Sequence, residues 1–207
     1  KIKYYDSKFL LNQEQKKSLK FIRGIGNNYN VTVLEGVTGS GKTLVYFKRI
    51  KDILDKGLQG LILLPEIALT NQFSRRFKEF FGVEPAIWHS ATSKKNKSVI
   101  WKGITEGKIK IVVGARSSLF LPFKNLGIIV VDEEHDASYK QDEGVSYNAR
   151  DMAITRASLE NIPINLVTSI PSIETYNNIV NKKYYVTKLN KRYKEASLPN
   201  IEIINLN

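Results

Sequence analysis

Residues 36–43 read Gly36-Val37-Thr38-Gly39-Ser40-Gly41-Lys42-Thr43 and fit the pattern GxxxxGK[ST] at every fixed position. The apolar run 31–34 precedes this segment, and the helix-like run 44–47 follows it. In a strand–loop–helix setting, glycines let successive backbone N–H groups point at phosphate oxygens, and the helix N-terminus adds positive potential. We therefore predict that all eight residues bind nucleotide, with Lys42 reaching the β- and γ-phosphates and the Thr43 hydroxyl binding Mg²⁺.

Apolar strand-like runs alternate with amphipathic helical stretches on both sides of this loop. The predicted strands are residues 31–34, 61–64, 85–88, 109–113, 127–131, 164–168, 184–187 and 201–204. The predicted helices are residues 12–21, 42–55, 67–81, 98–106, 149–159 and 172–180. Repeated strand–helix units whose strands show no polar alternation predict an α/β fold with a mostly parallel sheet and helices on both faces. We expect residues 1–207 to form one domain.

Composition narrows the class of protein. The net charge of +12, from 32 Lys and Arg against 20 Asp and Glu, favours a polyanionic partner such as nucleic acid, although a lysine-rich solvated surface would give the same surplus. The chain has no cysteine, so we expect no disulfide and no zinc site in it. It shows no signal peptide and no apolar run near the ~18 residues of a membrane span, so we expect a cytoplasmic protein with no membrane contact. It does not begin with Met, and we expect it to be part of a longer protein.

A cluster of acids follows the apolar run 126–131. It consists of Asp132, Glu133 and Glu134, with His135 next. In enzymes with a phosphate-binding loop, an acid at such a strand end holds Mg²⁺ directly or through water, and the next carboxylate can orient or deprotonate the attacking water. We therefore predict Asp132 as the Mg²⁺ ligand alongside Thr43, and Glu133 and Asp132 as catalytic together with Lys42. A plain acidic helix cap would explain one of these acids but not the whole cluster.

These segments, taken with several others, resemble the motifs of superfamily 2 helicases and, within them, the PriA family of bacterial primosomal replication-restart helicases. The matching segments are residues 36–43, 64–70, 113–120, 132–141, 147–151 and 171–175. The segments around Leu64-Pro65-Glu66 and Asp132-Glu133-Glu134-His135 are specific to that family, whereas the phosphate loop is not. The resemblance spans roughly residues 9–185.

The resemblance implies a RecA-like first helicase lobe of a P-loop NTPase that hydrolyses ATP and unwinds DNA in the 3′-to-5′ direction at stalled forks. It implies forked or single-stranded DNA as the partner, and other primosome proteins and single-strand-binding proteins as partners of the full-length protein. The family's second helicase lobe, N-terminal DNA-binding region and zinc module have no counterpart in residues 1–207. Gln15 matches the glutamine that reads adenine in this superfamily, because an amide offers one donor and one acceptor edge.

The resemblance also assigns residues to DNA binding and coupling. Thr70, His89, Arg116 and Ser117 fall on or near the DNA-tracking motifs, where hydroxyl and guanidinium groups suit phosphate contacts. His135, Tyr139, Lys140 and Gln141 match the segment that links strand binding to hydrolysis. We expect the Tyr139 ring to stack on an unpaired base. Burial under the edge of the sheet is the alternative for that ring.

One departure from the family and three alternative functions remain open at this point. The family carries Ser-Ala-Thr where this chain has Thr168-Ser169-Ile170, so a hydroxyl is replaced by a branched alkyl group and the coupling of hydrolysis to unwinding is in question. The motif set would also suit a double-strand DNA translocase of superfamily 2. A small-molecule P-loop kinase and a DNA-binding lobe without catalysis are the more distant alternatives.

Overall fold

The computed structural model describes residues 9–142 and 144–192, which form a parallel sheet between two layers of helices. The helices are α1 (Gln13–Ile25), α2 (Lys42–Leu54), α3 (Asn71–Phe81), α4 (Lys94–Thr105), α5 (Ala149–Leu159) and α6 (Ile173–Val180). The strands are β1 (Asn30–Gly36), β2 (Gln59–Leu63), β3 (Ala86–Trp88), β4 (Ile111–Gly114), β5 (Leu126–Asp132), β6 (Lys140–Gln141), β7 (Tyr147–Asn148), β8 (Pro163–Thr168) and β9 (Tyr185–Leu189).

The main sheet has seven strands in the order β3-β4-β2-β5-β8-β1-β9, and every described pairing in it is parallel. Strand β8 lies between β1 and β5, with Val31 opposite Ile164 and Ile129 opposite Ile164 on its other side. Because the strands are parallel, all their carboxyl ends meet at one edge. The phosphate loop follows β1 and the acidic cluster follows β5, so both lie at that edge.

Apolar side chains cover both faces of the sheet. One face packs against α1, α2 and α3, where the Phe47 ring meets the rings of Phe77, Phe80 and Phe81 at centroid distances of 5.0 to 5.8 Å. The other face packs against α4 and against the alanines Ala149, Ala153 and Ala157 of α5. Central strands such as β2 and β5 are buried along their whole length, which explains why their sequences show no polar alternation. The predicted parallel α/β fold with helices on both faces is confirmed.

The elements differ from the predictions at a few boundaries. The predicted helix 67–81 is a 3-10 turn at Glu66–Ala68 followed by α3, because the Thr70 hydroxyl accepts a hydrogen bond from the backbone N–H of Phe73 and starts a new helix there. Helix α4 begins at Lys94, since Ser93 caps it, and not at residue 98. The β6–β7 hairpin was not predicted, and the predicted strand 201–204 lies outside the described residues. Within the described part of the chain, no helix combines the length and apolar character needed to cross a bilayer.

Candidate nucleotide and nucleic-acid site

The phosphate loop joins β1 to α2 and leaves several polar groups uncommitted. Gly39 and Gly41 have φ angles of 81° and 82°, which only glycine adopts without strain, and a Cβ on Gly41 would collide with the Gln15 amide. No side chain caps α2, so the backbone N–H groups of Lys42 and Thr43 at its start are available to an anion, while that of Leu44 donates to Gly41 O at 3.1 Å. The Ser40 hydroxyl is buried without a hydrogen-bond partner, and Lys42 Nζ donates to Gly36 O at 2.7 Å. These features suit a loop whose ligand is a phosphate chain.

Gln15 supports this loop from α1. Its side-chain N–H donates to Ser40 O at 2.9 Å, and its side-chain oxygen accepts from the backbone N–H of Asn12 at 2.9 Å in a capping box. The side chain is fully buried, and one amide N–H remains beyond these two bonds. The structure therefore gives Gln15 a definite contact with the phosphate loop. The reading of adenine by this amide stays a prediction.

A pocket of about 380 Å³ opens beside the loop. One end consists of loop and helix residues, including Gly39, Gly41 and Thr43, and the other of Phe9, Phe80 and the charged residues Arg76 and Glu79 of α3. The Phe9 and Phe80 rings lie 5.6 Å apart. The volume of the pocket suits a nucleotide, and so does its combination of an apolar end with a phosphate-binding end. Arg76 has no counterpart among the sequence predictions, because nothing in its local sequence signals that α3 faces the loop.

Asp132 lies against the helix that follows the phosphate loop. The Tyr46 hydroxyl, one turn into α2, donates to Asp132 Oδ2 at 2.9 Å, and the backbone N–H of Glu133 donates to Oδ1 at 3.0 Å. Burial raises the pKa of this tyrosine hydroxyl, and the nearby Thr43 side chain acts in the opposite direction. Burial raises the pKa of Asp132 to about 6, and the Tyr46 hydrogen bond and the charge of Lys42 act in the opposite direction. The two segments predicted to share a site do lie together, and Tyr46, which sequence reasoning missed, connects them.

The residues near Thr43 and Asp132 fit a magnesium ion that is shared with a nucleotide. Among the described residues, no group of three or more His, Cys, Asp or Glu side chains could hold a metal by itself. Mg²⁺ in nucleotide sites needs only one or two protein ligands, because phosphates and water supply the others. The buried Asp132 carboxyl group, with its raised pKa, would gain from a nearby cation. Thr43 and Asp132 are therefore the residues that would hold Mg²⁺.

Glu133 and His135 stand beside each other at the end of β5. Glu133 has a φ of 49°, an unusual conformation for a residue with a side chain and one that is often found at functional sites. Its Oε2 lies 3.7 Å from His135 Nδ1, and both side chains are partly exposed. His135 Nδ1 also lies 2.7 Å from the hydroxyl of Thr168 at the end of β8. His135 thus bridges the predicted catalytic carboxylate and the segment that departs from the family pattern.

Glu134 was given no individual role from the sequence, yet it is the centre of a buried polar network. Its carboxylate accepts from the Ser172 backbone N–H at 2.7 Å, from the Thr175 hydroxyl at 2.9 Å and from Arg150 at 3.2 Å. Arg150 also donates to the Ser172 hydroxyl at 2.6 Å. The network fixes the ends of β5, α5 and α6 to one another. The only sequence signal was that these residues fall within the resembling segments.

The predicted DNA contacts lie at the carboxyl ends of β2, β3 and β4. Thr70 caps α3, Arg116 donates to Lys140 O at 2.6 Å, and Ser117 is exposed next to it. His89 is half-buried, and its Nδ1 accepts from the backbone N–H of Ala91 at 3.2 Å. These strands lie next to β5 on the side away from β1. The edge that holds the phosphate loop and acids therefore continues into the predicted DNA contacts, whose role stays a prediction.

The coupling segment follows the acidic cluster, and one prediction about it is wrong. The Tyr139 side chain is only 1% exposed, and the single proton of its hydroxyl is shared between Asp132 O at 2.6 Å and Leu63 O at 3.0 Å. Its ring cannot stack on a base, because the side chain packs below the ends of β2 and β5. Lys140 is exposed, with Nζ 3.1 Å from Asp142, and Gln141 pairs with Tyr147 in the β6–β7 hairpin. Their part in coupling stays a prediction.

Comparisons with known proteins identify the family of this chain. The sequence matches the DEAD/DEAH box helicase family over residues 12–169. It is 53% identical over 196 residues to the replication restart protein PriA of Rickettsia conorii, covering 95% of this chain and 30% of that protein. It is 43% identical over 188 residues to the PriA of Haemophilus influenzae, covering 90% of this chain and 26% of that protein.

The fold has close structural counterparts. The Pyrococcus furiosus Hef helicase domain superposes with a TM-score of 0.67 at 16% sequence identity, covering 94% of this chain and 41% of that one. The curated relatives confirm the resemblance to the PriA family that the motifs indicated, although this chain spans only 30% of the length of the Rickettsia conorii protein. With the family match extending from α1 to the end of β8, the chain belongs to the DEAD/DEAH box helicase family.

Proposed function

We propose that this chain is the ATP-binding lobe of a DNA helicase that restarts replication at stalled forks. The observation that carries the proposal is the hydrogen bond between Tyr46 and Asp132, because it brings the phosphate loop and the acidic cluster into one site. The identity of 53% to a replication restart protein supports the biological setting. The match covers 30% of that relative, so unwinding belongs to the proposal for the full-length protein.

Each site residue has a task in ATP hydrolysis under this proposal. The loop residues 36–43 and the α2 N-terminus bind the phosphates, Lys42 turns from Gly36 O towards the β- and γ-phosphates, and Gln15 lies at the base pocket. Mg²⁺, held by Thr43 and Asp132, would neutralise charge on the phosphates. Glu133 orients the attacking water and accepts its proton. His135, which lies next to both Glu133 and Thr168, couples hydrolysis at Glu133 to the segment that begins at Thr168.

The proposed partner is forked or single-stranded DNA, with movement in the 3′-to-5′ direction. Thr70, His89, Arg116 and Ser117 would contact phosphates without reading sequence, and the surplus of positive charge would speed DNA encounter. Through the full-length protein we expect contacts with primosome proteins and single-strand-binding proteins, in the cytoplasm.

Strand displacement by the full-length protein tests the proposal. We expect release of a labelled strand from substrates with a 3′ single-stranded loading region, no release by Lys42→Ala, and nucleotide binding without hydrolysis by Glu133→Gln. ATPase rates with forked, single-stranded and blunt duplex DNA separate a helicase from a double-strand translocase. Strongest stimulation by blunt duplex, or full hydrolysis by Glu133→Gln, would contradict the proposal.

A further inference from the structure

Phe120 is an exposed aromatic residue between two buried leucines. It ends the 3-10 turn Arg116–Phe120, which follows β4. Its relative exposure is 55%, whereas Leu119 and Leu121 on either side are 1% exposed. A partner that covered this ring would remove apolar surface from water.

Backbone hydrogen bonds hold the turn in this orientation. Arg156 of α5 donates to the carbonyl of Leu119 and, at 3.1 Å, to the carbonyl of Leu121. The Ser118 hydroxyl donates to Ala115 O at 2.6 Å, and the backbone N–H of Leu121 donates to Ser118 O at 3.3 Å. Because the carbonyls on both sides of Phe120 are fixed, its outward direction is a property of the turn and not of a loose loop.

A second aromatic ring supports Phe120. Tyr147 of β7 meets it edge to face, with ring centroids 5.6 Å apart and an interplanar angle of 74°. Arg116, at the start of the same turn, donates to Lys140 O of β6 and so ties the turn to the hairpin that carries Tyr147. The result is a rigid aromatic surface at the carboxyl edge of the sheet, beside a guanidinium group and the exposed Ser117.

We propose that Phe120, supported by Tyr147, stacks on an unpaired base of the bound DNA strand while Arg116 and Ser117 contact a neighbouring phosphate. The inference rests on the proposed function and adds a base-stacking position to it. An aromatic face next to cationic and hydroxyl groups is the combination that binds single strands without sequence preference. A single exposed ring offers too little area for a stable protein interface, which favours a base as the partner.

Phe120 takes the stacking role that the sequence suggested for Tyr139. The Tyr139 ring is buried below the ends of β2 and β5, whereas Phe120 lies at the same edge of the sheet with a relative exposure of 55%. The hairpin strand that directly follows Tyr139 still takes part, because β6 pairs with the strand that holds Tyr147.

Binding of the full-length protein to two labelled oligonucleotides tests the proposal: oligothymidylate, and an abasic strand of the same length. We expect Phe120→Ala and Phe120→Leu to weaken oligothymidylate binding about tenfold and to leave abasic-strand binding unchanged, because only the former offers bases to stack. Phe120→Trp should bind both strands as the unsubstituted protein does. Tyr176→Ala removes an equally exposed aromatic ring on α6 and should change neither affinity.

The outcomes separate this inference from the function on which it rests. If the Phe120 variants bind oligothymidylate normally, or lose affinity for both strands equally, the stacking role is wrong while DNA binding stands. If the unsubstituted protein binds neither strand, the proposed function itself fails. Thermal unfolding of each variant checks folding, and Phe120→Leu retains the apolar bulk should the alanine variant be unstable.

Discussion

His135 Nδ1 lies 2.7 Å from the hydroxyl of Thr168, and the proton on this contact can be assigned. The Thr168 hydroxyl donates its one proton to Ile170 O at 2.7 Å and accepts from the Ile170 backbone N–H at 3.2 Å. It must therefore accept from His135, which places a proton on Nδ1. His135 thus keeps a hydroxyl group as its hydrogen-bond partner, supplied by Thr168. The third residue of the family's Ser-Ala-Thr is here Ile170, whose side chain is exposed.

Thr168→Val should uncouple hydrolysis from DNA. The substitution keeps the shape of the side chain but removes the acceptor for His135 Nδ1, so we expect unchanged ATP affinity and a loss of about five- to tenfold in the DNA-stimulated rate. Steady-state ATPase measurements with and without single-stranded DNA give both values. Thr168→Ser keeps the hydroxyl and should restore stimulation. Equal stimulation of the valine and unsubstituted proteins would show that the His135–Thr168 contact is not part of coupling.

Tyr46→Phe should destabilise the fold. The Tyr46 hydroxyl is buried and donates to the buried carboxyl group of Asp132, so its removal leaves that group short of a donor. We expect the free energy of unfolding to fall by about 2 kcal/mol in urea titrations. Tyr185→Phe removes a hydroxyl from an exposed ring on β9 and should stay within about 0.5 kcal/mol of the unsubstituted protein. Similar unfolding curves for the two variants would argue against the Tyr46–Asp132 bond.

Arg76→Ala should weaken binding of ATP but not of inorganic tripolyphosphate. Arg76 lines the end of the pocket that holds Phe9 and Phe80, where a guanidinium plane can stack on the base. We expect about fivefold weaker ATP binding by calorimetry. Lys78, also on α3, makes an exposed ion pair with Glu84 at 2.6 Å away from the pocket lining, and Lys78→Ala is the control with no expected change. If Arg76→Ala weakened the binding of ATP and of tripolyphosphate equally, the arginine would contact the phosphates and not the base.

Much of the nucleotide site could be predicted from the sequence because its residues are consecutive. The loop 36–43 and the cluster after β5 each carry their chemistry in one short segment, and the parallel strand pattern places both at one edge. The Asn12–Gln15 capping box is equally local. The contact between Tyr46 and Asp132 is not, because it depends on the insertion of β8 between β1 and β5.

Burial was the other property that the sequence left undecided. Tyr139 and Phe120 are both aromatic residues shortly after a strand end, yet one is buried and the other exposed. The difference arises from long-range contacts, since the Tyr139 hydroxyl reaches Leu63 O on β2 and Arg156 of α5 fixes the carbonyls around Phe120. The surroundings of Glu134 and Glu133 differ in the same way. Groups from α5 and the start of α6 enclose Glu134, while Glu133 is partly exposed.

Arg150→Ala should be far more destabilising than loss of an exposed arginine. Arg150 and Glu134 form a buried ion pair, with side-chain exposures of 7% and 0%, and removal of the guanidinium leaves a buried carboxylate without its counter-charge. We expect the free energy of unfolding to fall by about 3–5 kcal/mol. Arg23 pairs with Asp52 at 2.7 Å on the surface, and we expect Arg23→Ala to cost about 1 kcal/mol or less. Urea unfolding of both variants measures the contrast. A loss for Arg150→Ala no greater than that for Arg23→Ala would mean that the hydroxyl and N–H donors of α6 stabilise Glu134 without the arginine.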